Sequence, residues 1–224
     1  MEVFRKLLLW MDPVKRSGPE AMAVDEWLLE TAKFPVLRVY GWDGDWASVG
    51  YFGKIAEARA AVSGVRWVRR WTGGGMVDHR ADWTYTLVLP NSEPLANVRG
   101  AESYRRVHAA LAAALAAEGI VVRLSGGEEE TGAALCFENP VNHDLVDAHG
   151  RKLAGAGQRR TRQGLLHQGS AAVAGEGSKS EMRALHLAGH LAESWEAVDF
   201  QPCGEDLSQR TGLRYAQLTW LEKR

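Results

Sequence analysis

The sequence predicts an α+β domain in which a mixed central β-sheet is flanked by helices. Residues 83–90, WTYTLVLP, alternate threonines with apolar side chains and end in proline, which is typical of a strand. Residues 101–119 form an alanine-rich stretch closed by glycine, which predicts a helix. Predicted strands and helices neither alternate strictly nor separate into blocks, which favours a mixed sheet over a doubly wound one.

A capped helix is predicted over residues 17–32. Ser17 and Glu20 have the spacing of a capping box, which satisfies free backbone N–H groups at a helix start. Asp25 and Glu26 are expected on its solvated side. The core-facing stripe comprises Met22, Leu28 and Leu29.

The other elements are predicted from short apolar runs and turn residues. We expect a hairpin around the His149-Gly150 turn and a helical region over 178–224. Further strands are predicted at VLRVYGW (36–42), WASVG (46–50), GVRWVRRW (64–71) and GLLHQGSAAV (164–173), with a short helix at KIAEARAAV (54–62).

Length and composition predict one domain over residues 1–224. A chain of 224 residues with 46% hydrophobic content can bury one sizeable core. The formal charge of −1 gives no electrostatic reason to expect nucleic acid, and no apolar run is long enough to span a bilayer. The apolar start is too short for a signal peptide, and two cysteines are more typical of free thiols than of a bridge. We therefore expect a cytoplasmic protein.

A glycine triplet marks the first candidate site, within RRWTGGGMVDH at residues 69–79. Because glycine has no Cβ, the backbone N–H groups of three consecutive glycines can approach an anion or a carbonyl group. A β-bulge or tight bend would also use glycines. The spacing fits neither a dinucleotide-binding nor a Walker-type motif. The candidate binding residues are Arg69, Arg70, Trp71, Thr72, Gly73, Gly74, Gly75 and His79.

A cysteine and a lysine flank the predicted hairpin and form the second candidate site. A thiol beside an ammonium ionises more readily and can hold an acyl group as a thioester. Cys136 precedes the hairpin, and Lys152 comes after its turn, with Gly155 and Gly157 leaving space beside it. Taken alone, the cysteine would more often be a small buried hydrophobe and the lysine a surface residue.

Two histidines receive different interpretations. His167, in LLHQGS, is a candidate polar wall of a pocket or a satisfied core histidine. His108 is expected at the surface or flank of its helix. The two cysteines form no C-x-x-C unit, so no metal site is predicted.

Taken together, the motifs resemble the lipoate-protein ligase and octanoyltransferase family, within the superfamily of biotin-protein ligases. The resemblance covers nearly the whole chain and rests on AMAVDEWLL, VLRVYGWDGDWASVGYF, VRRWTGGGMVDH, WTYTLVLP, CFENPVNHDLV, GRKLAGAGQ and LLHQGS, in the family's order. It implies an α+β catalytic domain with an acyl chain held in a tunnel. The tunnel would lie between the loop that contains Gly73, Gly74 and Gly75, called the glycine loop below, and the strand that carries Lys152.

Within that family, the CF-x-x-P segment is similar to octanoyltransferases that use a cysteine. The resemblance implies that Cys136 takes octanoyl from octanoyl-acyl carrier protein, with Lys152 as acid/base partner. A lysine of a lipoyl domain or of a glycine-cleavage H protein would then receive the group as an amide, with no metal or ATP. His79 and Arg69 or Arg70 would shape the polar rim, and Gly155 would keep the tunnel wall thin.

Two alternatives remain open. The His167-Gln168 order and the pair Asn142 and Asp144 resemble ATP-dependent ligases, which would use ATP and Mg²⁺, activate the acid as an adenylate and hold it with Lys152 and the glycine loop. Such a ligase would lack its accessory domain here. The other alternative is a non-catalytic acyl-binding module. It is suggested by two departures from the family pattern, Trp71 and Arg80.

Overall fold

The computed structural model describes residues 3–128, 131 and 139–223. Its main sheet has the strand order β11-β1-β2-β6-β10-β9-β8-β7, and a smaller sheet has the order β4-β3-β5. The main strands are β1 (Phe4–Met11), β2 (Val36–Tyr40), β6 (Trp83–Pro90), β7 (Arg123–Leu124), β8 (Leu145–Val146), β9 (Lys152–Arg160), β10 (Gly164–Ala171) and β11 (Ala192–Ala197). The smaller sheet contains β3 (Trp46–Val49), β4 (Arg66–Arg69) and β5 (Val77–Asp78).

The main sheet is mixed, as predicted. Strand β1 runs parallel to both β11 and β2, whereas β2, β6, β10, β9, β8 and β7 pair in antiparallel succession. The strand predicted at 83–90 lies inside this sheet, between β2 and β10. The predicted hairpin is formed by β8 and β9, on either side of His149 and Gly150.

Helices cover both faces of the main sheet. The longer helices are α1 (Gly18–Thr31), α3 (Gly100–Ala116) and α4 (Ser178–Leu191), and the shorter ones are α2 (Ile55–Ala61), α5 (Gly204–Arg210) and α6 (Leu218–Leu221). Leu87 packs in the core formed with α3 and α4, whereas its neighbour Val88 packs in the core formed with α1. This alternation along β6 reflects the pleat of a strand buried on both faces.

Helix α1 begins as predicted, with the capping box of Ser17 and Glu20 formed. The expectation that Asp25 and Glu26 are solvated is wrong, because both are buried. Asp25 faces a fully buried arginine on β2: Arg38 Nη1 lies 2.7 Å from Asp25 Oδ1, and Arg38 Nη2 lies 2.8 Å from Asp12 Oδ2. Glu26 instead pairs with the Arg214 guanidinium. A charge in the protein interior requires such partners.

The prediction of a helical region over 178–224 is correct for α4 but wrong for the segment immediately after that helix. Residues Ala192–Ala197 form the edge strand β11, which pairs in parallel with β1. Without it, the backbone groups along that edge of β1 would lack their ladder partners. Helices α5 and α6 come next, joined by a π-helical turn at Thr211–Tyr215. Within the described residues, no helix has both the length and the apolar character needed to cross a membrane.

Candidate functional site

A narrow cleft, partly open to solvent, lies where α1, the glycine loop and strands β6, β9 and β10 meet. Its walls combine apolar side chains with glycine backbone, so a slender apolar group could lie between them. The lining residues are Met22, Tyr40, Trp42, Arg70, Gly74, Val77, His79, Thr84, Gly155, Ala156, Gly157, Gln168, Gly169 and Ser170.

The glycine loop packs directly on β9. A Cβ added to Gly157 would come within 2.4 Å of the Gly73 carbonyl oxygen, so a side chain there would displace the loop. Gly74 has φ of +94°, in the left-handed region that favours glycine. Thr72 donates a hydrogen bond of 2.7 Å to Gln168 Oε1, which ties the loop to β10. Both the bend and the close backbone approach therefore depend on glycine.

A chain of buried hydrogen bonds supports the rim of the cleft. Arg70 Nη1 donates to Ser48 Oγ at 2.5 Å, and Ser48 Oγ lies 2.6 Å from His79 Nε2. His79 Nδ1 lies 2.7 Å from Asp82 Oδ2. The Ser48–His79–Asp82 order resembles a hydrolase triad, but Ser48 is fully buried and does not line the cleft. The serine therefore links Arg70 to His79 rather than facing a substrate.

Arg70 and Arg69, which the sequence left as alternatives for the rim, have different positions. Arg70 lines the cleft and also donates to the Gly75 carbonyl at 2.9 Å, which holds the loop. Arg69 is fully buried outside the cleft lining. It donates to the carbonyl groups of Gly50, Tyr51, Gly53, Trp220, Leu221 and Lys223. We call this arrangement the carbonyl clasp.

Trp71 does not line the cleft, although it adjoins the glycine loop. The Arg159 guanidinium lies 4.5 Å from its ring centroid, and that of Arg214 lies 4.7 Å from it. Such cation–π contacts occupy the indole faces. The tryptophan therefore packs against basic side chains beside the loop.

Lys152 lies at the start of β9 and is buried with a carboxylate. Its Nζ lies 2.6 Å from Asp144 Oδ2, and both side chains are almost completely inaccessible. A Cβ on Gly155, which lines the cleft, would meet Lys152 Nζ at 2.6 Å. Lys152 does not itself line the cleft, and its ammonium lies directly behind the cleft wall at Gly155. The predicted partner Cys136 lies outside the described residues.

His167 and His108 lie on the other side of β10 from Gln168 and are both fully buried. His167 contacts Tyr85 Oη at 3.2 Å and Gln158 Nε2 at 3.0 Å, and it does not line the cleft. This matches a satisfied core histidine rather than a pocket wall. The expectation of a surface position for His108 is wrong. Burial lowers the pKa of His108 to about 4 and holds that of His167 well below its usual range.

Several cleft residues were not among the sequence candidates. The pleat of β10 places Gln168 and Ser170 on the face opposite His167, so alternation within LLHQGS could have identified them. Trp42 stacks on His79 with ring centroids 4.2 Å apart, and no local pattern indicates that contact. Tyr104, which does not line the cleft, was also missed; its hydroxyl contacts Asp144 across an interval of 40 residues.

This fold, with its glycine-walled cleft and buried lysine, defines the class of protein. The family model described as "Lipoyl protein ligase A/B catalytic domain" matches residues 17–189, and the chain belongs to that family. Octanoyltransferase LipM of Symbiobacterium thermophilum is 33% identical over 175 residues, which cover 71% of this chain and 63% of that protein. Octanoyltransferase LipM of Carboxydothermus hydrogenoformans is 35% identical over 182 residues, covering 77% of this chain and 66% of that protein. The chain thus spans less than two thirds of either relative.

Solved structures confirm the predicted fold. A putative lipoate protein ligase from T. acidophilum superimposes with a TM-score of 0.69 at 19% identity, over 100% of both chains. A lipoate-protein ligase A bound with ATP gives a TM-score of 0.65 at 19% identity, over 99% of both chains. The mixed sheet flanked by helices is therefore the architecture of lipoate-protein ligases.

Proposed function

We propose that the protein is an octanoyltransferase of lipoate biosynthesis. It takes octanoyl from octanoyl-acyl carrier protein and passes it to a lysine of a lipoyl domain or glycine-cleavage H protein. The buried Lys152 ammonium behind the wall of a narrow, glycine-lined cleft supports acyl chemistry, and similarity to octanoyltransferases is the observation that carries the choice of transfer. Relatives named octanoyltransferase, at 33% and 35% identity, support the choice of acyl group.

The reaction has two acyl transfers. In the first, the Cys136 thiolate attacks the thioester carbonyl, the C–S bond to the carrier breaks, and the carrier thiolate leaves and takes up a proton. In the second, the acceptor lysine amine attacks the Cys136 thioester, an amide forms, and the thiolate is regenerated as the amine loses its proton. Lys152 supplies positive charge and a donor N–H to the carbonyl oxygen as negative charge develops there.

Chain-length selection arises from the cleft. Each methylene buried against apolar walls stabilises binding by about 0.8 kcal/mol, so much shorter acyl chains bind measurably more weakly. Met22, Tyr40 and Trp42 provide apolar surface, while glycine backbone keeps the opposite wall thin. We propose the cytoplasm as the place of reaction, because a catalytic thiol requires reducing surroundings.

The second candidate is an ATP-dependent lipoate-protein ligase. It is favoured by the buried Asp144–Lys152 pair, since Asp144 belongs to the Asn-x-Asp segment that resembles the ligases. Such a ligase would hold the carboxylate of the free acid with Lys152 and the glycine loop and would not require Cys136. ATP and Mg²⁺ would then be its cofactors. A module that binds the acyl chain without turnover is the remaining alternative.

Intact-protein mass spectrometry after incubation with octanoyl-acyl carrier protein, without ATP, separates these functions. We expect a hydroxylamine-sensitive octanoyl adduct on wild type and on Cys203→Ala but not on Cys136→Ala. Cys203 is an exposed free thiol and therefore a matched control for adventitious acylation. Acid-dependent AMP release upon addition of ATP, with no adduct beforehand, would instead establish the ligase. Binding of octanoate with neither product would indicate the acyl-binding module.

A further inference from the structure

A tyrosine from helix α3 completes the surroundings of the buried lysine. The Tyr104 hydroxyl donates to Asp144 Oδ1, while Lys152 Nζ lies 2.6 Å from Asp144 Oδ2. The same phenol oxygen accepts a hydrogen bond of 2.8 Å from the backbone N–H of Ala156. Tyr104 thus connects the carboxylate to the cleft wall, because Ala156 lines the cleft.

The aspartate is fixed from a second direction. Asp144 is fully buried, and its Oδ2 also accepts a hydrogen bond of 2.8 Å from the backbone N–H of Val141. Its backbone carbonyl accepts from the Ser125 N–H at 2.7 Å. A carboxylate held at both oxygens and at its backbone has little freedom to rotate.

The Lys152 ammonium occupies space that a side chain at position 155 would fill. A Cβ at this position would come within 2.6 Å of Lys152 Nζ and 3.0 Å of Asp144 Oδ1. Because Gly155 has no side chain, the Lys152–Asp144 ion pair can lie at the edge of the cleft. A lysine serving only as a buried counterion would not need contact with the cleft wall.

We propose that Tyr104 and Asp144 are positioning residues that hold the Lys152 ammonium against Gly155, facing the reacting acyl carbonyl. The proposal rests on the proposed acyl-transfer function and adds to it two residues on separate elements. Tyr104 acts through Asp144, and Asp144 acts through the ammonium. Helix α3 thereby contributes to the geometry of the site through one hydroxyl group.

The titratable groups that face this trio include Tyr85, His108 and His143. Burial raises the pKa of Tyr85 far above its usual range and lowers the pKa of His108 to about 4. Both stay neutral between pH 7 and 11. Because the other surrounding groups are the same in every variant, differences in the Lys152 midpoint between variants report on Asp144 and Tyr104.

The test uses protein labelled with ¹⁵N-lysine, with the Lys152 Nζ signal assigned by its absence from Lys152→Arg. We expect Asp144→Asn to lower the pH midpoint of that signal by at least about one unit, a tenfold change in proton affinity, because the ammonium loses its carboxylate. Tyr104→Phe should lower it by less, because the loosened carboxylate remains. It should also reduce octanoyl transfer about 10- to 100-fold at unchanged KM, the range for a hydrogen bond to a charged group.

Tyr215→Phe is the matched control, since Tyr215 is a buried tyrosine in the cluster around Trp46. It should keep the wild-type midpoint and transfer rate, whatever its thermal stability. An unchanged midpoint in Asp144→Asn, or unchanged midpoint and rate in Tyr104→Phe, would overturn the proposal. A Tyr104→Phe defect no larger than that of Tyr215→Phe would also overturn it. If wild type transfers no octanoyl, the proposed function fails, whereas the midpoints still decide whether the two residues hold the ammonium.

Discussion

Substitution of Gly157 by alanine tests whether contact between the glycine loop and β9 shapes the cleft. The added methyl would lie 2.4 Å from the Gly73 carbonyl oxygen and 2.8 Å from Thr72 Oγ1. Ordinary contacts begin at 3.4 Å, so the loop must move by roughly 1 Å to restore them. Gly157 does not have positive φ, so the backbone itself accepts alanine and the contact alone carries the effect.

Two consequences of Gly157→Ala are expected from this displacement. Overpacking costs about 1–3 kcal/mol, and at about 2–4 °C per kcal/mol for a chain of this size the melting temperature should fall by roughly 2–12 °C. A 1 Å misplacement of reacting groups can cost about 100-fold in rate, so octanoyl-adduct formation on Cys136 should slow by one to two orders of magnitude.

Gly73→Ala provides the matched control for stability, on the other side of the same contact. A Cβ at Gly73 would meet no heavy atom within 4 Å, and this residue also lacks positive φ. Differential scanning calorimetry should therefore give a melting temperature at or slightly above that of wild type, since alanine restricts the unfolded chain. If Gly157→Ala matched wild type in both melting temperature and adduct formation, the argument from close packing would be refuted.

Three further outcomes are expected. Asp25→Ala leaves the buried Arg38 guanidinium short of one carboxylate, so urea titration should show a loss of about 3–5 kcal/mol in unfolding free energy, and a loss below about 1 kcal/mol would contradict this account of the network. The pKa of His108 is lowered to about 4 by burial, so the unfolded chain binds this proton more readily below about pH 6.5, and stability falls as the pH drops from there towards 4. Urea titrations at several pH values should show a smaller fall for His108→Leu than for wild type; equal slopes would rule out this histidine as a cause. Arg69→Met removes the carbonyl clasp, and hydrogen exchange should accelerate in residues 218–223, whereas wild-type protection there would show that other contacts hold this segment.

The sequence patterns predicted the elements that have strong local signals. The capping box marked the start of α1, and the alternating run at 83–90 marked a strand that lies inside the main sheet. Edge strand β11 was mistaken for helix because its exposed residues, such as Glu193 and Glu196, do not show the apolar pattern of a buried strand. What defines it is pairing with β1, at the opposite end of the chain.

The parts of the site that lie within one continuous segment were predictable from the sequence. The glycine loop and Lys152 are recognisable from adjacent residues, and the structure brings Arg70, Gly74, His79 and Gly155 to one cleft. Buried charge was harder to predict. On a helical projection Asp25 falls among solvated residues, because the projection does not show its partner, an arginine on strand β2. Helical periodicity in a sequence shows which positions are polar, but it does not show which buried side chain of opposite charge neutralises them.

Within the described part of the chain, the guanidinium of the carbonyl clasp binds main-chain oxygen atoms only, and the one added side-chain bond to Arg69 comes from the Trp220 indole N–H, 3.0 Å from the Arg69 carbonyl. Every amino acid presents the same carbonyl group. Apart from Trp220, the segment after α5 could therefore accumulate substitutions over evolution while its backbone stays bound to Arg69. An arginine that binds main-chain carbonyl groups constrains the backbone path of this segment more than the identity of its side chains.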